Sequence, residues 1–346
     1  MLKVRPVSPE RLPELLRRMP KAELHMHVEG SLEPELMFAL AKRNGVDMAY
    51  PDVDSLREAY VFDNLQDFLN IYHAGTLVLR TEQDFFDMAY AYLVRAAADN
   101  VLHAEIFFDT QTHTGHGVST DVVINGLHRA CVDAQAQLGI SASLILCFLR
   151  HLSEQDALEC LEQAMPHRDK LVGVGLASSE MGHSPEKFSR AFARARALGL
   201  RLVAHAGEEG PPAYIWSALD ELKVERIDHG VQAVKDPALM ARLIKDRIPL
   251  TVCPLSNLKL RVFPTLAQHN LGRMLEAGIV ATINSDDPAY FGGYINQNFT
   301  QTFAALRLTA QQAWQLAHNS FQASFIDDSL KREYRYRLEE AFETFE

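Results

Sequence analysis

The chain reads as an α/β protein, a (β/α)₈ TIM barrel with a helical insertion after its first strand. Three observations predict this. Eight short, nearly continuous apolar runs, at 22–27, 101–109, 142–149, 171–178, 200–208, 226–230, 250–257 and 279–288, alternate with helical patterns, as parallel strands buried on both faces require. The last four begin at 200, 226, 250 and 279, a spacing that accommodates one helix and two short loops per unit. Polar and ionisable residues gather at the C-terminal ends of these runs, the face where barrel active sites lie.

The first run, 22–27, is followed by a gap to 100 that is too long for one crossover. Within it, Leu36-Met37-Phe38-Ala39-Leu40-Ala41 and the stretch 65–95, with Phe68, Tyr72, Phe85, Phe86, Tyr90 and Tyr92, carry apolar residues at helical spacing. These place the insertion at about 31–100. The charged tail reads as terminal helices at about 310–346. No internal repeat or Gly/Ser linker divides the chain, so residues 1–346 are expected to form one domain.

Composition narrows the function. Thirty-four basic against forty-five acidic residues in 346 give a net charge of −11, which argues against nucleic acid or an anionic membrane as partner and favours a small ligand. The four cysteines lie in apolar surroundings without C-x-x-C spacing and read as reduced packing residues. With neither a signal core nor an eighteen-residue apolar run, a cytoplasmic location and no membrane insertion are expected. Homo-oligomerisation is compatible with the sequence and is left open.

The chemistry sits at the strand ends. An unpaired buried charge costs several kcal/mol, so ionisable residues there call for a use. Alternation along a strand sends His25 and His27 to the same side, where they can share a metal ion. A histidine from the fifth strand, His205, and an aspartate from the eighth, Asp286, would complete an N₃O set suited to Zn²⁺, one ion per chain, with a position left for water. Such an ion lowers the pKa of bound water from 15.7 towards ~7. Glu208, three residues past His205, can reach a group beside the metal without ligating it, as a proton shuttle does. His229 reads equally as a further ligand, a core histidine or an electrostatic partner. Asp287 directly follows Asp286, so a bend at Pro288 is expected if both are to face the site.

Five ordered segments, PKAELHMHVEGSLEPE (20–35), VAHAGEEGPP (203–212), ERIDHGV (225–231), VCPLSN (252–257) and INSDDPAYF (283–291), together resemble the adenosine/adenine deaminase family of the amidohydrolase superfamily, along almost the whole chain. The resemblance implies a zinc-dependent barrel hydrolase that releases ammonia from C6 of a 6-aminopurine. It makes His25, His27, His205 and Asp286 the zinc ligands, Glu208 the proton donor, His229 the group orienting the attacking water, and Asp287 the partner of purine N7. Glu29 stands where the nucleoside enzymes carry an aspartate near the ribose, so the sequence looks closest to the microbial branch acting on free adenine. Ser178, Ser179 and Glu180 are candidate contacts to the purine edge. Ala177 stands where adenine enzymes carry an acidic residue, which keeps N6-substituted adenines such as isopentenyladenine, and also adenosine, as alternatives. Zinc deaminases of the cytidine type need H-x-E with P-C-x-x-C, and the second half is missing. A bimetallic site would need a carboxylated lysine where Ala177-Ser178-Ser179 stands. A catalytically silent purine-binding barrel is the remaining non-enzyme alternative.

Overall fold

The computed structural model describes residues 4–345. Eight strands, β1 (Lys21–His27), β2 (Val101–Phe108), β3 (Ser141–Leu149), β4 (Leu171–Ala177), β5 (Arg201–Ala206), β6 (Arg226–His229), β7 (Leu250–Val252) and β8 (Ala281–Ile283), form one sheet in sequential order. Each neighbouring pair is parallel. The barrel closes just beyond β8. The Asp286 N–H donates to the His25 carbonyl at 3.1 Å, the His27 N–H donates to the Asp286 carbonyl at 2.9 Å, and Asn284 Oδ1 accepts the Leu24 N–H at 2.8 Å. The residue expected to bind metal thus also joins the last strand to the first.

The expected runs match the strands in number and order, but six of the eight overshoot at their C-terminal ends. Residues 253–257 leave the ladder, because Pro254 has no N–H to give to a neighbouring strand and instead opens the helix Pro254–Lys259. Pro288 does the same for the short helix Pro288–Phe291. Apolar continuity marks where a chain is buried, not where its strand pairing stops.

Between β1 and β2 run the 3₁₀ turn Glu29–Ser31 and the helices Pro34–Asn44, Val53–Glu58, Leu65–Thr76 and Glu82–Ala98. Local signals start them: Asp52 and Asn64 cap the second and third helices, and Thr81 with Asp84 forms a capping box on the fourth. Leu65–Thr76 buries Leu65, Phe68, Leu69 and Tyr72, residues that roof the strand ends. The chain finishes with helices Ile295–Leu306, Ala310–Ala323 and Asp328–Glu343. No helix among the described residues is long and apolar enough to cross a membrane.

Phe107, Ile145, Cys147, Ala177 and Val203 fill the barrel interior. Deeper lies a buried ion pair between Arg226 and Glu105, 2.6 Å apart and fully shielded from solvent. Burial pushes the Glu105 carboxyl up, but the Arg226 guanidinium, His103 and the Phe325 amide outweigh it and hold the group at about 2. All four cysteines are buried and unbridged.

Candidate active site

The C-terminal ends of β1, β5, β6 and β8 converge on one point. Alternation along β1 does turn His25 and His27 to the same side: their Nε2 atoms lie 3.2 and 3.5 Å from Asp286 Oδ1. His205 Nε2 is 3.0 Å from His27 Nε2, and His229 Nε2 is 3.7 Å from Asp286 Oδ2. His25, His205, His229 and Asp286 each present a donor atom within 4.8 Å of the others, and His27, Asp286 and Asp287 form an overlapping group.

This arrangement fits a cation. His25 Nε2, which faces Asp286, is buried without a hydrogen-bond partner, an unusual cost for a polar atom inside a protein. Thr251 Oγ1 donates to Asp228 Oδ1 at 2.8 Å, so it faces His25 Nδ1, 3.0 Å away, as an acceptor. That assigns the His25 proton to Nδ1 and leaves the Nε2 lone pair aimed at the cluster. Imidazoles with one carboxylate form a donor set of borderline softness, the kind zinc prefers.

Electrostatics separate the roles. Burial pulls His27 down to about 4 and His229 to about 3, and it pulls His205 well below the ordinary range with help from the neighbouring rings. The imidazoles are therefore neutral lone-pair donors at physiological pH. Burial alone would raise Asp286, but the surrounding histidines hold it well below the usual carboxylate range. Glu208 goes the other way, raised well above that range by burial and by Asp286. Asp287 is raised by the same two causes. Adjacent carboxyls are thus pushed in opposite directions, the pattern that divides acid from base in hydrolytic sites.

Strand-end backbone aims these groups. Ser178, His229 and Asp286 all adopt left-handed conformations, with φ of +79°, +65° and +63°. Residues other than glycine adopt this region at a cost of about 1–2 kcal/mol. The turn at Asp286 brings both Asp286 and Asp287 to the site. The bend expected at Pro288 is therefore two residues upstream; Pro288 instead opens a helix with Asp287 at its N-cap.

Above the cluster lies a narrow cavity of about 50 Å³, lined by His27, His205, Glu208, His229, Asp286 and Asp287 below and by Leu65, Phe68, Leu69, Tyr72, Leu260 and Phe291 above. Ala177 and Ser178 also line it, and Ser178 Oγ pairs with His151 Nδ1 at 2.8 Å.

Three expected substrate contacts lie elsewhere. Ser179 donates to Gln66 at 2.9 Å, outside this cavity. Glu180 is buried under the loop after β5, where its carboxylate accepts the N–H groups of Gly207, Glu208, Glu209 and Gly210 at 2.6, 3.1, 2.8 and 2.8 Å. With both oxygens engaged, it fastens the loop that carries Glu208. Glu29 is held by His113 at 3.0 Å and Tyr72 at 3.4 Å, and Tyr72 faces the cavity in its place.

Sequence reading passed over three contributors. Asp228 takes the Thr251 hydrogen bond and lies 3.7 Å from His205 Nδ1, so it orients rings from two strands. Asp109, at the end of β2, lines the cavity. The rule that selected His205 and Asp286, a charge ending an apolar run, also singles out Asp109 in FFDTQ. Thr251 carried no such signal, since a buried threonine in a strand is ordinary.

Residues 20–341 match the family model described as adenosine deaminase. The chain is 83% identical to an adenine deaminase of Albidiferax ferrireducens, over 99% of both proteins. It is similar to the crystal structure of an adenine deaminase from Arthrobacter aurescens, with a TM-score of 0.93 and 48% identity, covering 94% of this chain and 100% of the other. An amidohydrolase from Burkhoderia ambifaria with bound Zn superposes with a TM-score of 0.89 at 28% identity, covering 97% of this chain and 94% of the other. The chain belongs to the adenosine deaminase family.

Proposed function

We propose that the protein is a zinc-dependent aminohydrolase that converts free adenine and water to hypoxanthine and ammonia. One observation carries this reading: Glu208, a carboxyl pushed towards its protonated form by burial, faces the same cavity as a cluster of histidines and an aspartate pushed towards its ionised form. The name borne by the Albidiferax relative supports adenine as the substrate.

His25, His27, His205 and Asp286 would hold one Zn²⁺ per chain, which when bound supplies the Lewis acidity that makes water nucleophilic near neutral pH. Glu208 gives its proton to purine N1, drawing electron density from C6. His229, 3.5 Å from Glu208 Oε2 and close to Asp286, accepts a hydrogen bond from the attacking water and fixes its line of approach. Protonated Asp287 donates to N7, orienting the ring. The water oxygen bonds to C6 and the C6–N6 bond breaks; of the two water protons one leaves with the amine as ammonia, by way of His229, and the other returns to Glu208, while the apolar roof keeps other water out.

A second reading, N6-substituted adenines, is favoured by one feature: Ala177, Cys147 and Leu149 make an uncharged side wall to the cavity. Adenosine is disfavoured because Glu29, near the position for ribose recognition, is already occupied by His113 and Tyr72. Rates of purine-product formation from adenine, isopentenyladenine and adenosine decide among them. Dominant turnover of adenine is expected, and absence of hypoxanthine from adenine overturns the proposal. The reduced, buried cysteines fit a cytoplasmic setting.

A further inference from the structure

Four acidic side chains line the cavity: Asp109, Glu208, Asp286 and Asp287. The reaction as proposed uses three. Asp109 is buried, and the Thr112 N–H donates to its Oδ1 at 2.7 Å, which fixes the carboxyl in place. A buried carboxylate beside a ligand cavity is costly to keep without a polar partner in the ligand.

The barrel supplies that partner by its order. Because the strands follow one another around the sheet, the rim carries Glu208 after β5, His229 on β6, Asp287 after β8, Asp109 after β2 and Ser178 after β4. Around a purine the atoms run N1, C6, N7, N9, N3. With N1 on Glu208, C6 beside His229 and N7 on Asp287, the next atom in the circuit is N9, and the next wall carrying a carboxylate is β2. Free adenine bears a hydrogen on N9; nucleosides and 9-alkylpurines do not.

We propose that the Asp109 carboxylate accepts the N9–H of the purine and so selects the free base over 9-substituted purines. The inference rests on the adenine reaction proposed above and adds a specificity residue to it. A site built to bond a substrate N–H rejects the analogue lacking it, because its own polar group is then left unpaired.

The test compares adenine with 9-methyladenine as substrates of the zinc-loaded enzyme, and hypoxanthine with 9-methylhypoxanthine as ligands in equilibrium binding. Wild type is expected to prefer the N9–H compound in each pair. Asp109→Ala and Asp109→Leu, which remove the acceptor, should lower the adenine to 9-methyladenine ratio of kcat/KM roughly 10- to 100-fold. The binding ratio should shift in the same direction. Asp109→Asn keeps an acceptor oxygen and the Thr112 contact, so it should retain part of the preference; it also serves if the other variants fail to fold. Equal losses on both members of a pair, or an unchanged ratio, would overturn the assignment. If wild type makes no hypoxanthine from adenine, the proposed reaction fails instead, and the two binding constants still decide the role of Asp109.

Discussion

Asp287 Oδ1 occupies the space where a side chain on Gly30 would begin: a Cβ built there falls 1.9 Å from it. The glycine after β1 is therefore part of the active site without touching substrate. It lets the carboxyl proposed to orient N7 pack directly on backbone.

Gly30→Ala should consequently push Asp287 aside while leaving the metal cluster assembled. Misplacing an orienting group by about 1 Å costs on the order of 10²-fold in rate, and the overpacking costs about 1–3 kcal/mol in stability. The expected outcome is kcat/KM down roughly 10²-fold with zinc content unchanged. Wild-type kinetics in this variant would show that Asp287 does not orient the ring.

Glu208→Gln tests proton donation separately from metal binding. The amide keeps the size of the side chain and loses the acid, so turnover should fall roughly 10²- to 10⁴-fold. Metal analysis should still find about one zinc per chain, and a chelator should inactivate the wild-type enzyme. Activity that survives full removal of metal would reject the metalloenzyme reading.

Glu180 provides a contrast, since it lies near Glu208 in space yet holds only backbone. Glu180→Ala would leave four loop N–H groups without their acceptor, at about 1–3 kcal/mol for each one that water cannot reach. The variant should melt at a clearly lower temperature and lose activity on every purine by a similar factor. A change in preference among purines, with stability intact, would restore Glu180 as a substrate contact.

These contrasts explain what could be read before the fold was known. His25, His27, His205 and Asp286 were legible because ionisable residues ending apolar runs break the composition of a buried strand, and the barrel sends all such ends to one face. Glu180 was read as a contact to the purine edge, whereas the structure sets its carboxylate on four loop amides; a carboxylate that binds amides and one that binds ligand look alike in sequence. The bend at Asp286 was hidden for a different reason. Its left-handed conformation is set by the seam with β1, where Asp286 exchanges backbone hydrogen bonds with His25 and His27, and a contact across some 260 positions leaves no local signature. A separation of 226 positions likewise concealed Thr251 behind His25.

The Glu105–Arg226 pair predicts how the barrel responds to acid. Arg226 and His103 hold Glu105 at about 2 in the folded chain, against 4.5 for an unperturbed glutamate, so its folded pKa is depressed. Its contribution is fully present above about pH 4.5 and is lost as pH falls towards 2, a span equivalent to about 3 kcal/mol. Glu105→Gln leaves Arg226 buried without its counter-charge and should destabilise the protein by about 3–5 kcal/mol at neutral pH. Urea unfolding of both proteins from pH 7 to pH 3 should then show a stability gap that is constant down to about pH 5 and narrows below it. Because the metal ligands are common to the two proteins, their protonation cancels in that difference. A gap that stays the same at pH 3 would mean that Glu105 is not held ionised by Arg226.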